Sequence, residues 1–392
     1  MEDEAYLSEY RWKILAMVYV CQLSFALVFQ SIPPLLRLIV FEFGMTYAQA
    51  GLFMSLFALP GILVAIPGGM FSDRYGVKRV AIASLLLMVV GSFVVGVGGS
   101  FTLTLMGRVV SGIGAVILSI ILPQLLSSWF RRRDLGLAIG IFNTGMPLGT
   151  VVSFNILGLA GLSLGWRAPI LVTTIVTVIA LLLFLFLFRE ADHGVGGGEL
   201  SSGFSSIGIS IWLVGLAWMC FNAAFISFLT FAQDFFVTGG YGVAFASFLT
   251  SLVMLISLPL SPLIGYLMGK FGREEAFIGI GGAALASLLF LMPSNVDPVL
   301  LLALMGVFNA FVPPPIFSLP SKLVRRQNFG LAFGIISTCL NIGVLVGPYI
   351  VGYAKDVTGR YTIGFYLMSL FGILQVFSIL LLFFMRTKRA QL

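Results

Sequence analysis

Long apolar segments alternate with short polar loops along the whole chain of 392 residues. A helix needs about 20 apolar residues to cross the hydrocarbon core of a bilayer, and twelve segments come close to or exceed that length. Their predicted ranges are 12–36, 47–72, 79–98, 101–128, 135–160, 167–188, 207–233, 242–268, 276–293, 298–323, 329–354 and 362–385. The pattern predicts an all-α polytopic membrane protein with twelve transmembrane helices, which we number spans 1 to 12.

Composition agrees with this pattern and excludes a soluble globule. Hydrophobic residues make up 59% of the chain, charged residues 9%, and the mean hydropathy is +1.09, whereas soluble domains carry about 25% charged residues. Cys21, Cys220 and Cys339 lie in three different apolar segments, so we interpret them as small buried side chains rather than disulfide or metal ligands. We therefore expect no metal and no cofactor.

The distribution of positive charge predicts the orientation in the membrane. The formal net charge is +7, and most of the 22 Lys and Arg residues fall in the loops on the side that holds both termini. Positively charged loops resist translocation, so this side is expected to be cytoplasmic in a plasma membrane. The basic excess is thereby assigned to topology and not to a nucleic-acid partner.

Internal repeats divide the chain into two halves. Residues 131–144 resemble residues 325–338, an offset of 194, and a Leu-Met-Gly sequence ending at Gly107 recurs at Gly306. Both halves begin on the same side, as expected for parallel repeats related by an axis along the membrane normal. The prediction is two pseudo-symmetric six-helix bundles, 1–188 and 207–392, joined by a Gly-rich cytoplasmic linker, 189–206.

The loop after span 2 carries a charged motif with a weaker copy in the second half. The motif residues are Gly69, Asp73, Arg74, Gly76, Lys78 and Arg79, and the copy retains Gly272 and Arg273. Gly269 stands in the copy where the first half has the aspartate.

The motif, the twelve spans and the half-chain repeat together resemble the major facilitator superfamily (MFS). The resemblance implies a rocker-switch transporter in which the motif loop latches one state. On physical grounds, the Asp73 carboxylate can face the positive N-terminal end of span 11, near Gly330. The alternative interpretation is that the motif only anchors this loop at the lipid headgroups.

Arg108 is the clearest charge inside a predicted span. Burying it costs at least about 2.5–3.5 kcal/mol, so it should face protein or water. Helical spacing places Ser111 on the same face, and the second half has Val307 at the position that corresponds to Arg108. The functional interpretation is a cation that attracts an anionic substrate. The structural interpretation, which we favour, is an arginine bonded to helix carbonyls or to Gln22 or Gln30.

The MFS resemblance also implies that spans 1, 4, 7 and 10 line a central cavity. The candidate cavity residues on these spans are Gln22, Phe25, Gln30, Arg108, Ser111, Asn222, Phe225, Asn309 and Phe317. Amides beside aromatic rings suit a small solute, and interhelical hydrogen bonding is the equal alternative for each amide. Asp73, Asp234 and Asp356 are placed at span ends, so we expect no titrating group deep in the membrane and disfavour proton coupling.

These observations predict a monomeric transporter whose partners are a small-molecule solute and the lipid bilayer. No nucleotide-binding loop, nucleophile elbow or zinc spacing is present in the sequence, so we expect no enzymatic activity. A small organic or inorganic anion is the favoured substrate. Export of an uncharged or amphipathic compound is the first alternative, and a receptor or scaffold without transport is the second.

Overall fold

The computed structural model describes residues 2–64, 75–130, 132–188, 208–294, 296–325 and 328–391. Within these ranges the regular structure is helical. The helices are Glu2–Gln30, Ile32–Phe43, Tyr47–Ser55, Val77–Val97, Phe101–Trp129, Arg132–Asn143, Gly145–Val152, Gly158–Leu164, Arg167–Leu187, Ile209–Thr238, Val243–Phe271, Glu274–Leu291, Pro298–Asn309, Pro313–Ser318, Pro320–Leu323, Phe329–Thr358 and Thr362–Gln391, and a π-helical turn spans Ser153–Leu157.

Twelve of these helical stretches are long and apolar enough to cross a membrane, which confirms the predicted fold class. Spans 1 to 12 are Tyr10–Phe43, Tyr47–Val64, Val77–Val97, Phe101–Trp129, Leu137–Leu164, Arg167–Leu187, Ile209–Thr238, Val243–Met268, Glu274–Leu291, Pro298–Ser318, Phe329–Thr358 and Thr362–Thr387. Most predicted boundaries agree within a few residues, because hydropathy changes sharply where each span ends.

The predicted ends of spans 1 and 7 are wrong in ways that affect charged residues. Span 1 restarts at Ile32 and continues to Phe43, so Arg37 lies in a helix and not in a loop. The prolines at positions 33 and 34 allow this because the first turn of a helix tolerates residues without an N–H donor. Span 7 continues to Thr238, which places Asp234 one turn inside the helix, where its side chain is buried.

The chain forms two compact units. The first comprises residues 1–35 and 63–197, and the second comprises residues 36–62 and 198–392. Residues 36–62 therefore pack with the second unit, although the sequence repeat assigns them to the first half. The predicted linker lies outside the described residues, and the division into two six-helix halves stays a prediction.

Glycine permits close helix packing inside each unit. In the first unit, a Cβ added at Gly114 on span 4 would lie 2.2 Å from the Ser84 carbonyl oxygen on span 3. In the second unit, a Cβ at Gly347 on span 11 would lie 2.3 Å from the Ala223 carbonyl oxygen on span 7. Small residues at such crossings let backbones approach in lipid, where dispersion and hydrogen bonds drive helix association.

Candidate functional site

Arg108 lies on span 4 in the first unit and is 1% exposed. Its guanidinium donates a hydrogen bond to the Val28 carbonyl on span 1, at 2.9 Å. Ser111 donates to the Arg108 carbonyl at 3.0 Å, so it stays on the same helix. The predicted bond to a helix carbonyl is confirmed. The alternative acceptors, Gln22 and Gln30, do not take part, because the Oε1 atoms of both lack a hydrogen-bond partner among the described residues.

Span 1 also supplies the other predicted polar and aromatic groups of the first unit. Gln22 and Gln30 are buried, and Phe25 is half-buried and stacks on Phe29 with ring centroids 6.3 Å apart. Ser153, on span 5, was not predicted. It is fully buried, and its hydroxyl lacks a hydrogen-bond partner within the described part of the chain.

The second unit presents mainly aromatic side chains from span 7. Trp218, Phe221 and Phe225 stack in succession, with centroids 5.1 and 5.6 Å apart, and Phe228 continues the row at 6.3 Å. Phe317 from span 10 meets Trp218 edge to face at 5.5 Å and is half exposed. We call these five residues the aromatic row. Only Phe225 and Phe317 were predicted, although the helical spacing of the other rings was visible in the sequence.

The two predicted amides of the second unit have different surroundings. Asn222 donates from Nδ2 to the Trp218 carbonyl of its own helix, at 2.8 Å. The Oδ1 of Asn309 is buried without a hydrogen-bond partner in the ranges that the structure describes. The second unit therefore places two buried amides near a row of largely buried aromatic rings.

The charged motif is described only in part. Gly69, Asp73 and Arg74 lie outside the described residues, so the latch stays a prediction. Gly76 has φ +83° and Gly272 has φ +62°. A side chain would be strained at these two equivalent positions, which explains why both copies of the motif carry glycine. Among the remaining motif residues, Lys78 is half-buried, and both Arg79 and Arg273 are exposed.

A second charged group lies at the opposite end of the spans. Six residues surround the ends of spans 1, 7 and 11 and the starts of spans 2 and 12. We call them the aspartate cluster: Arg37, Tyr47, Asp234, Lys355, Asp356 and Tyr361. Asp356 accepts hydrogen bonds from the backbone N–H groups of Tyr47 and Ala48, at 2.8 and 2.7 Å. Its carboxylate therefore caps the positive N-terminal end of span 2.

Asp234 joins the same cluster through two tyrosines. Its Oδ2 accepts a hydrogen bond from the Tyr47 hydroxyl at 3.1 Å and another from the Tyr361 hydroxyl. Burial, reinforced by the neighbouring Asp234 charge, raises the pKa of Tyr361 above its ordinary value, so this phenol remains a donor. Lys355 lies over the Tyr361 ring at 4.2 Å, and Arg37 is 4.0 Å from Asp234.

An open cavity of about 230 Å³ adjoins this cluster. Arg37 and Asp234 provide its charged lining, and Leu36, Val40, Phe41, Tyr47 and Thr238 complete it. Sequence reasoning missed the cluster because its hydrogen bonds join residues 127 to 309 positions apart.

Spans 2 and 11 are interlocked beneath the aspartate cluster. A Cβ at Gly352 would lie 2.1 Å from the Tyr47 carbonyl oxygen, and one at Gly51 would lie 2.2 Å from the Pro348 carbonyl oxygen. One turn further along span 2, Ser55 donates a hydrogen bond to the Val344 carbonyl at 2.9 Å. The two spans belong to different sequence repeats, so any separation of the repeats at this end must break these contacts.

The Major Facilitator Superfamily profile matches residues 18–300 and 207–391 of the chain. The chain belongs to this superfamily. Related sequences include the lysosomal dipeptide transporter MFSD1 of Danio rerio, 25% identical over 378 residues, which are 88% of this chain and 81% of the relative. The probable sulfoacetate transporter SauU of Cupriavidus necator is 24% identical over 83% of this chain and 82% of its own. The hexuronate transporter of Bacillus subtilis is 23% identical over 83% of each chain.

Solved structures of the same family share the fold. A bacterial homologue of the human lysosomal transporter Spinster, in an inward-facing and occupied conformation, aligns with a TM-score of 0.77 over 96% of each chain, at 17% identity. Its inward-facing and unoccupied form aligns with a TM-score of 0.75. Family membership confirms the predicted class, a multi-pass transporter of small solutes and not an enzyme.

Proposed function

We propose that this protein transports a small organic or inorganic anion and that Arg108 attracts the anion. The observation that carries the proposal is the burial of this guanidinium inside span 4, whereas its hydrogen bond to the Val28 carbonyl fits the structural interpretation. A cation in a low-dielectric interior interacts strongly with an opposite charge. Two relatives are named for anionic compounds, sulfoacetate and hexuronate, which supports the same class.

Uptake by purified protein in liposomes tests this proposal. We expect Arg108→Gln to lower uptake of glucuronate and sulfoacetate at least about tenfold, because hydrogen bonds to charged groups contribute about 1.5–3 kcal/mol. Arg108→Lys should retain part of the activity. Arg167→Gln is a matched control, since Arg167 also donates to a backbone carbonyl, that of Gly98, at 3.0 Å. Undiminished uptake by Arg108→Gln would exclude Arg108 as the anion site.

The second candidate is export of an uncharged or amphipathic compound, which the aromatic row favours. Stacked rings on span 7 offer an apolar surface of the kind that binds aromatic drugs. The same variant separates the two candidates. Arg108→Gln would leave efflux of a neutral fluorescent dye intact if the second candidate is right.

Alternating access is the proposed mechanism, with two six-helix halves, 1–188 and 207–392, that rock about the substrate. In this proposal the interlocked spans 2 and 11, with the aspartate cluster, close the side opposite the termini. The predicted Asp73 latch would close the other side, near the start of span 11. Cysteine accessibility on both sides, with and without substrate, tests the mechanism, because a receptor need not expose its site to each side in turn.

The proposed location is the plasma membrane, with both termini in the cytoplasm and one chain as the working unit. The support is the excess of Lys and Arg in the loops on the side of the termini. Fusion of a fluorescent protein to the C-terminus tests the orientation, since a reporter that folds only in the cytoplasm should fluoresce. Light scattering of the purified protein measures its oligomeric state.

A further inference from the structure

A π-helical turn interrupts span 5 where it packs on span 1. It covers Ser153–Leu157, between the helices Gly145–Val152 and Gly158–Leu164, and the Gly158 N–H donates to the Ser153 carbonyl five residues earlier. Single π turns inside α-helices insert one residue and occur frequently at functional sites. The side chains of this turn are therefore candidates for a functional role.

The packing of span 5 on span 1 shows which residues face each other. A Cβ at Gly145 would lie 2.7 Å from Cγ of Gln22, and one at Gly149 would lie 2.4 Å from Cβ of Ala26. Both pairs have an offset of 123 positions. The same offset places Ser153 opposite Gln30, one turn further along both helices.

Beyond the π turn the offset becomes 124. A Cβ at Gly158 would lie 2.8 Å from Cβ of Pro34. The residue that the π turn inserts thus shifts the pairing between spans 1 and 5 by one position. Ser153 is the first residue of the turn.

Ser153 and Gln30 are both 0% exposed, and their polar side-chain atoms lack hydrogen-bond partners among the described residues. Oε1 of Gln22, two turns earlier on span 1, is likewise unpartnered. Buried polar groups without partners are costly and rare, and each one calls for an explanation such as a bound ligand or water.

Neighbouring polar residues of span 5 donate hydrogen bonds to carbonyl groups of their own span. Thr150 donates to the Met146 carbonyl at 3.0 Å, and Asn155 donates to the Val151 carbonyl at 2.9 Å, both within the same span. Ser153 makes no such bond. Its hydroxyl and the facing amide of Gln30 are therefore available to a third group.

We propose that Ser153 and Gln30 bind a hydroxyl or amide group of the substrate whose anionic group Arg108 attracts. This inference rests on the proposed function and narrows its substrate class. Val28, whose carbonyl accepts the hydrogen bond from Arg108, precedes Gln30 by about 3 Å along the axis of span 1, so the two groups lie at a similar depth. The substrate class is an organic anion that also carries hydrogen-bond donors, such as a sugar acid or a short peptide.

The chemistry of the unpartnered atoms selects this class over inorganic anions. The Oε1 atoms of Gln22 and Gln30 accept hydrogen bonds and cannot donate them. Sulfate and the sulfoacetate dianion present acceptors only, so these two oxygens would remain unpaired beside them. A hydroxyl or an N–H group of a ligand both donates and accepts, and it satisfies the amide and the serine together.

Binding to the purified full-length protein tests the inference with four probes: glucuronate, alanylalanine, sulfoacetate and sulfate. We expect glucuronate or alanylalanine to raise the melting temperature of the wild-type protein, because a ligand stabilises the state that binds it. Sulfate should have no such effect at equal concentration. Ser153→Ala and Gln30→Leu should each weaken binding of the donor-bearing probes about tenfold and leave binding of sulfoacetate unchanged.

Thr150→Val is the matched control, since Thr150 lies one turn away and bonds to its own helix. It should bind the probes as the wild type does. Ser153→Cys keeps the size of the side chain and reports on the site if the alanine variant is poorly produced. Its affinity for glucuronate should also fall.

Several results would overturn the inference. They are equal binding of all four probes, no response to either donor-bearing probe, or a Ser153→Ala variant with unchanged affinity and a higher melting temperature. The last result would mean that the unpaired hydroxyl is only a defect or holds a water. The proposed function fails separately, when Arg108→Gln binds every probe as well as the wild type does.

Discussion

The two units differ most in what their spans bury. The first unit buries Arg108 on span 4, and it also buries Gln30 on span 1 and Ser153 on span 5, whose polar side-chain atoms lack hydrogen-bond partners among the described residues. The second unit buries the aromatic row on span 7. The halves are repeats in sequence, yet the position of Arg108 is Val307 in the second. The two halves therefore differ in charge at equivalent positions of spans 4 and 10.

We expect the largest effect when the arginine is moved from position 108 of the first half to the equivalent position 307 of the second. In the Arg108→Gln background we expect Val307→Arg not to restore uptake of glucuronate, since Gln30 and Ser153, the proposed partners of the substrate, belong to the first unit. A buried arginine also costs at least about 2.5–3.5 kcal/mol, so the melting temperature should fall. Restored uptake would instead mean that either copy can hold the anion.

The interlocked spans 2 and 11 give the next largest effect. Gly352→Ala places a Cβ about 2.1 Å from the Tyr47 carbonyl oxygen, so the backbones must separate. Overpacking of this kind costs about 1–3 kcal/mol. Distances measured by electron paramagnetic resonance between spin labels at Gln49 and Val357 should show a population of long distances at least about tenfold larger than in the wild type. Gly265→Ala is the control, because its added Cβ meets open space. An unchanged distance distribution would contradict the interlock.

The two aspartates at opposite ends of the spans should have effects of opposite sign. Asp356→Asn weakens the cap on span 2, which contributes about 1 kcal/mol. The same spin labels should then report roughly fivefold more of the separated state. Asp73→Asn should favour the state in which these spans are closed, and the double variant should return toward the wild type. If both variants shifted the distances in the same direction, Asp73 and Asp356 would not stabilise closure on opposite sides of the membrane.

The aromatic row should give the smallest effect. Phe225→Leu removes one stacked ring, and aromatic pairs contribute about 0.5–1.5 kcal/mol beyond burial. Binding of an apolar dye should weaken by less than about tenfold, with glucuronate uptake unchanged. Phe383→Leu is the control, since Phe383 is half exposed on span 12. If Phe225→Leu lowered glucuronate uptake more than dye binding, the aromatic row would not be specific for apolar compounds.

The sequence predicted the spans and the buried charge well, and it predicted the sites less well. The span boundaries agree because apolar length is a local property of the chain. Arg108 was found because a charge inside an apolar run is conspicuous. Ser153 was missed, since one more serine in an apolar helix carries no signal until the opposite helix is known. Asp234 was placed at a helix end because hydropathy alone does not show where a helix stops.

The sequence by itself determined the class of the protein, its twelve spans and the difference between Arg108 and Val307 at equivalent positions of its internal repeat. These properties follow from the composition and order of residues that are close in the chain. Only the tertiary structure decided that Asp356 caps span 2, that two tyrosines hold Asp234, and that span 5 packs on span 1 with Gly145 against Gln22 and Gly149 against Ala26. Each of these contacts joins residues more than a hundred positions apart, and such contacts depend on how helices pack rather than on what each helix contains.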